Sequence, residues 1–301
     1  MSVVPKFRKT HRACSYCAFV VFEMSEESTY QGFDGTTMLL RIWKPEGDPK
    51  AIVLGLHGLG SHSGRLAYLG ERFTTQGYAF YAPDLRGFGT FPGRKGHVER
   101  FTEYIDDLES LVAYMKLLHH DKKLFLFGHS LGAIFIIHYV VNHPSEADGI
   151  IIPAPAVSER LKVSGATRAI ASFLSKLNVK MYFDNGLDHE LISRNPEIVK
   201  DNREDPLRFD KATPRYAIEG FKASKDAFDS ASKITAPVLV QQSGDDLILD
   251  PERNKEFFDN IASTDKTWKL YPGLYHEPYH EDGSDEVFAD MFDWIEERML
   301  A

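Results

Sequence analysis

From about Met38 onward, short apolar runs alternate with longer stretches in which apolar residues recur every three or four positions. The short runs predict strands. They cover 38–43, stopped by Pro45 and Gly47, and 51–56, a continuous apolar run expected of a strand covered on both faces. Others cover 77–81, stopped by Pro83, then 123–127, 149–152, 237–241 and 267–271. The periodic stretches predict helices: Phe101, Ile105, Leu108, Leu111, Val112 and Met115 share one face, and 133–141, 251–261 and 285–299 read likewise. Strands alternating with helices imply a mostly parallel sheet with helices on both faces, the α/β class.

The rhythm breaks between 154 and 232, where no convincing strand occurs. Roughly 80 residues do not form a structureless loop in a compact domain. Ile170, Phe173, Leu174 and Leu177 make an apolar stripe at helical spacing, opposite Arg168, Ser172 and Lys176. The expectation is a helical cap over the C-terminal edge of the sheet. The organisation expected is an N-terminal extension or first strand over 1–27, a core from 28–153 and 233–301, and the cap at 154–232. There are no tandem repeats and no low-complexity tract.

Near the N-terminus, Lys6, Arg8, Lys9 and Arg12 precede about ten mostly apolar residues, the outline of a short signal peptide. No A-x-A-like cleavage site follows, so a first strand at 18–22 is the preferred reading, with Met24 a second plausible start. Cys14 and Cys17 form a C-x-x-C with His11 before it. A structural zinc site needs about four ligands and no second cysteine pair exists, so the motif is read as structural or incidental.

Composition narrows the function class. The 301 residues are 43% hydrophobic and 26% charged, ordinary globular usage with enough length for a full core. Lys and Arg number 35 against 44 Asp and Glu, a net charge of −9, which disfavours nucleic acid and anionic lipid as electrostatic partners. No apolar run approaches the ~18 residues of a membrane span. The protein is expected in the cytoplasm.

The sharpest chemical signal is Gly128-His129-Ser130-Leu131-Gly132, a G-x-S-x-G between a predicted strand and a predicted helix. That context defines a nucleophile elbow, whose glycines let chain segments approach while the hydroxyl is lifted above the sheet edge. A serine nucleophile needs a base oriented by a third group, and in this fold the chain order is Ser, acid, His. His276 follows the last predicted strand and precedes the last helix, the base's place. The loop after 237–241 offers Asp245 and Asp246, which pattern alone does not separate. His57-Gly58-Leu59-Gly60 follows the strand at 51–56, so the backbone N–H groups of Leu59 and Leu131 are the expected oxyanion donors. His57 itself reads as a structural hydrogen-bonding residue. The string His276-Glu277-Pro278-Tyr279-His280 also satisfies H-E-x-x-H, but Pro278 breaks the helix that zinc ligation would need. No metal is expected.

Taken in order, residues 57–65 (HGLGSHSGR), 84–89 (DLRGFG), 128–132, 192–196 (ISRNP), 205–207 (DPL) and 271–277 (YPGLYHE) resemble the monoglyceride lipase and lysophospholipase branch of the α/β-hydrolases. The resemblance runs from about Ser28 to the C-terminus. It implies an eight-stranded sheet with a helical cap after the sixth strand, hydrolysis of carboxylic esters with a medium or long acyl chain, and no cofactor. The family's register from the strand-opening proline places the acid at Asp246. Catalytic residues are thus expected at Ser130, Asp246 and His276, and substrate-binding residues at Arg65, Phe173 and Leu177. The chain departs from the family at Ser61, usually acidic and tied to the glycerol head group, at Phe88 and Phe91, and at Ala133. The expected partner is a small ester such as a monoacylglycerol, with transient contact to lipid aggregates through the cap. Lysophospholipids, thioesters and amides suit the same triad, and a catalytically idle binding protein is the alternative from another class.

Overall fold

The computed structural model describes residues 25–158 and 164–300. The C-x-x-C at 14–17 and the strand expected at 18–22 lie outside the described residues. The first described strand is instead β1 (Glu26–Gln31), polar except for the buried Tyr30. It is an edge strand, so no apolar run announces it.

In chain order there follow β2 (Thr37–Trp43), β3 (Ile52–Leu56), α1 (Ala67–Thr75), β4 (Ala79–Pro83), α2 (Thr102–Leu118), β5 (Leu124–Gly128), α3 (Leu131–Asn142) and β6 (Gly149–Pro153). Next come α4 (Gly165–Lys176), β7 (Phe183–Asp184), α5 (Pro196–Glu204), β8 (Lys211–Ala212) and α6 (Pro214–Asp229). The chain closes with β9 (Val238–Ser243), α7 (Pro251–Asp259), β10 (Lys266–Tyr271) and α8 (Ser284–Met299).

Eight strands form one sheet in the order β1-β2-β4-β3-β5-β6-β9-β10. β2 pairs antiparallel with β1 and β4, and every pairing from β4 to β10 is parallel. This is the mostly parallel α/β sheet that the hydrophobic pattern predicts, with the eight strands that the family resemblance implies. Every residue of β3, β4, β5, β6 and β9 is buried, because helices cover both faces. One layer of core gathers α2 and α3 with Leu54, Leu126 and Ile150; the other gathers α1 and α8 with Val53, Phe125 and Ile151.

Between β6 and β9 the chain leaves the sheet. α4 packs on α6, and α6 on α3. β7 and β8 pair antiparallel as a small second sheet, against the expectation of no strand in this segment. Two residues per strand are too few to carry a pattern, and their pairing is set by partners far apart in sequence. The segment is stitched to the loop after β3: Phe209 N–H donates to the Gly60 carbonyl at 2.9 Å, and Asp205 Oδ2 lies 2.8 Å from His62 Nε2.

Candidate active site

At the C-terminal edge of the sheet, β5 turns into α3 through Ser130, whose φ of 54° and ψ of −113° lie in a region side chains rarely adopt. A Cβ at Gly128 would fall 2.6 Å from the Gly132 carbonyl oxygen, and one at Gly132 would fall 2.4 Å from that of Leu56. Only glycine fits both positions. Ser130 N–H donates to Pro153 O at 3.2 Å and Gly132 N–H to His129 O at 2.8 Å, while the Leu131 N–H between them has no backbone partner among the described residues. The Leu59 N–H is likewise unpaired there. Leu59 and Leu131 line the same cavity as Ser130, and the Leu131 N–H adds the positive end of α3.

His57 shapes this loop. It is fully buried, its Nε2 accepts the Leu85 N–H at 3.1 Å, and its Nδ1–H donates to Gly58 O at 2.9 Å. Burial pushes the imidazole down to about 4, so it stays neutral in that tautomer.

Two loops at the end of the sheet bring Asp246 and His276 together. The Gly244 N–H donates to Tyr271 O at 2.8 Å and the Asp245 N–H to Leu274 O at 3.1 Å, tying the turn after β9 to the turn after β10. Asp245 points to solvent, whereas Asp246 is wholly buried with its Oδ2 2.9 Å from His276 Nδ1. Asp246 Oδ1 accepts the N–H groups of Ile248 and Leu249, both at 2.9 Å. Burial alone would raise this carboxyl, but the facing imidazole and these hydrogen bonds hold it below its usual range. An ionised carboxylate only accepts, so His276 Nδ1 carries the proton and Nε2 keeps its lone pair. Burial depresses the His276 imidazole, and the Asp246 carboxylate more than reverses that, leaving it raised above 6.5. The neighbouring His129 donates Nε2–H to the His276 carbonyl at 3.1 Å.

Ser130 and His276 line the same cavity of about 490 Å³, within the usual range for a small-molecule site. Among the described residues the Ser130 hydroxyl makes no hydrogen bond to the imidazole. Leu131, Ala156, Ile170, Leu174, Phe221 and Leu249 give the cavity its apolar wall, while Ser61, Arg208, Asn185 and Glu277 bring polar groups to it. The string from His276 to His280 lies on no α-helix: Pro278 opens a 3-10 turn, and His280 Nδ1 is held 2.7 Å from Glu277 Oε2.

Of the expected substrate-binding residues, Arg65, Phe173 and Leu177 do not line the cavity. Arg65 sits in the turn before α1, beside rather than within it. Phe173 and Leu177 are 61% and 60% exposed. The helical period is the reason. Thr167, Ile170, Ala171 and Leu174 face inward; Phe173 lies about 60° back from Ile170 around the axis, so the stripe divides between cavity and surface. Glu277 went unread as a cavity residue, although its place directly after His276 carries the signal.

Residues 47–283 match the family described as serine aminopeptidase, S33. A monoacylglycerol lipase of Mycolicibacterium smegmatis is 30% identical over 279 residues, 92% of this chain and 99% of its own. An abhydrolase domain-containing protein of Dictyostelium discoideum is 32% identical, covering 88% of this chain, which spans only 28% of that protein. The crystal structure of the Paleococcus ferrophilus monoacylglycerol lipase superposes with a TM-score of 0.79 at 31% identity, covering 87% of this chain and 99% of that one. The chain belongs to the serine aminopeptidase S33 family of α/β-hydrolases, and is a serine hydrolase of its lipase and esterase kind.

Proposed function

We propose that the protein hydrolyses carboxylic esters of single acyl chains, monoacylglycerol-like esters among them, through an acyl-enzyme on Ser130. The observation that carries this reading is the buried Asp246–His276 pair opening, together with Ser130, onto one largely apolar cavity. The relatives named monoacylglycerol lipase support the ester class.

In this mechanism His276 Nε2 takes the Ser130 proton as Oγ attacks the ester carbonyl carbon. Asp246 keeps the imidazole in the required tautomer and stabilises the imidazolium. The N–H groups of Leu59 and Leu131 receive the oxyanion, each donor worth ~2.7–4 kcal/mol in the transition state. His276 returns the proton to the leaving alcohol oxygen, and water repeats the sequence on the acyl-enzyme to release the acid. No cofactor takes part.

The acyl chain is assigned to the apolar wall from α4 and α6. Phe173, Leu177 and Tyr182, which lie outside the cavity, and Ile170, Met181 and Phe183, which line it, together form an exposed apolar group there. Its place suits transient contact with lipid aggregates, from which the acyl chain enters. No described helix is long and apolar enough to cross a membrane.

The test is Ser130→Ala against nitrophenyl esters of graded chain length. Hydrolysis should fall to background while the thermal midpoint holds. A well-folded variant that keeps most of its activity would refute the mechanism.

A further inference from the structure

The chemistry above uses His276 but leaves unexplained the carboxylate beside it. Glu277 is buried, lines the same cavity, and is anchored by its backbone N–H to Ile192 O at 2.9 Å. Its Oε2 is held by His280 Nδ1 at 2.7 Å. Its Oε1 has no hydrogen-bond partner among the described residues. Burial would favour the neutral acid, but the hydrogen bond from His280 and the charge of Arg65 keep the group ionised. The cavity therefore presents half of a carboxylate, a strong acceptor in a largely apolar surrounding. Oε1 is not sealed in the protein but opens onto the cavity, where a ligand group can reach it.

The position identifies the part of the substrate it meets. In the proposed mechanism His276 protonates the leaving alcohol, so that alcohol must lie against the imidazole. Glu277 follows His276 directly in the chain and opens onto the same space. An acceptor there suits a hydroxyl donor on the alcohol. It repels an anion and gives a plain alkyl group nothing. The same cavity is lined by Asn185, whose Nδ2 is buried without a partner while its Oδ1 accepts the Leu187 N–H at 3.0 Å. Acceptor and donor together match the hydroxyls of a polyol.

We propose that Glu277 is a specificity-determining residue that accepts a hydrogen bond from a free hydroxyl of the alcohol part, selecting neutral polyol esters over alkyl esters and over esters of phosphorylated polyols. The inference rests on the ester-hydrolase reading above. A hydrogen bond to a charged group corresponds to roughly 10- to 100-fold in kcat/KM.

The experiment compares three substrates of one acyl chain, kept below their aggregation limits: the glyceryl ester, the propyl ester and the glyceryl ester carrying a 3-phosphate. In the wild-type protein kcat/KM should fall in that order. In Glu277→Gln the glyceryl-to-propyl ratio should collapse by about 10-fold or more, and the phosphorylated ester should gain on both. An equal loss on all three substrates, or no glyceryl preference in the wild type, would overturn the proposal. Should the variant fail to fold, inhibition of wild-type nitrophenyl ester turnover decides: glycerol should inhibit at lower concentration than propan-1-ol, and equal inhibition refutes the assignment. Turnover of propyl and nitrophenyl esters by the wild type separates the two readings. If none of the esters, the glyceryl ester included, is hydrolysed, the ester-hydrolase reading fails; if they are hydrolysed without hydroxyl preference, only the role of Glu277 fails.

Discussion

Replacing Asp246 by Asn changes one atom in a fully buried group, and the surrounding hydrogen bonds dictate the outcome. Asp246 Oδ1 accepts from two backbone N–H groups, and Oδ2 faces His276 Nδ1. If the amide keeps its oxygen on Ile248 and Leu249, its NH₂ faces an N–H. The imidazole must then carry its proton on Nε2, where no lone pair remains to receive the serine proton. If the amide flips, the tautomer is restored, but two backbone N–H groups lose a buried acceptor at about 1–3 kcal/mol each. The first arrangement avoids that cost and dominates. The imidazolium of the transition state also loses its counter-charge. The same Asp→Asn change in a serine-protease triad lowers kcat by ~10⁴, equivalent to about 5.5 kcal/mol. A loss of roughly 10³- to 10⁴-fold is expected here, with Asp245→Asn near wild type because that side chain is exposed and tied only through its backbone.

The pH profile supplies a second readout with a definite sign. His276 must be neutral to act as base, so activity rises with pH through its pKa. Against the depressing effect of burial, Asp246 raises that pKa above 6.5, placing the wild-type acid limb above this value. With the Asp246 carboxylate gone, burial is opposed only by the charge of Glu277, and the acid limb of the residual activity in Asp246→Asn should move down. Stability follows the same linkage. The raised His276 pKa contributes stability that is complete below 6.5 and lost as pH rises through the folded value, and the lowered Asp246 pKa contributes stability above 3.8 that is lost on acidification. The pair therefore contributes most between these values, and the variant's deficit in thermal midpoint should be largest there. Rates of nitrophenyl ester hydrolysis from pH 5 to 9 for both variants provide the check. Reversed severities would put the acid at Asp245, and two mild variants would remove the acid from this loop altogether.

Two further outcomes follow from the geometry. Gly132→Ala would drive a Cβ to 2.4 Å from Leu56 O and 3.0 Å from His57 O, both backbone atoms, so a loss of about 1–3 kcal/mol is expected; an unchanged thermal midpoint would refute the close-packing account of the elbow. Phe173→Ser and Leu177→Ser remove exposed side chains that do not line the cavity, so turnover of micellar long-chain esters should fall while monomeric short-chain esters are processed as before; equal loss on both would argue against an interfacial role.

What the sequence made legible follows burial. Strands β3, β5, β6 and β9 are covered on both faces, so their residues had to be apolar and their runs stand out. β1 exposes most of its side chains and buries only Tyr30, so it left no alternation to read. Helix α1 buries only Leu69, Gly70 and Phe73, too sparse a face for periodicity to mark. At the site, motif order was enough to nominate Ser130 and His276. Between Asp245 and Asp246 local pattern had no preference, because the difference lies in pairing between the ends of β9 and β10. The Gly244–Tyr271 and Asp245–Leu274 bonds turn one carboxylate inward and the other outward, and both cross some thirty positions of sequence.

The same limit explains the divided stripe on α4. Periodicity says that Ile170, Phe173, Leu174 and Leu177 share a broad apolar face, but not what that face meets. Packing on α6 settles the rotation: Ile170 and Leu174 turn to the cavity, and Phe173 and Leu177 remain outside. Burying an apolar side chain gains about 25 cal/mol per Å² of surface removed from water. Phe173 and Leu177 forgo most of that gain in the isolated chain. In water an apolar group beside the cavity is a solubility liability, whereas at a lipid surface the same side chains recover their burial. An acyl chain drawn from an aggregate would then pass from one apolar surrounding to another. On this argument one helix serves two steps, its outer edge meeting the aggregate and its inner edge holding the chain, and substitutions on the two edges should separate them.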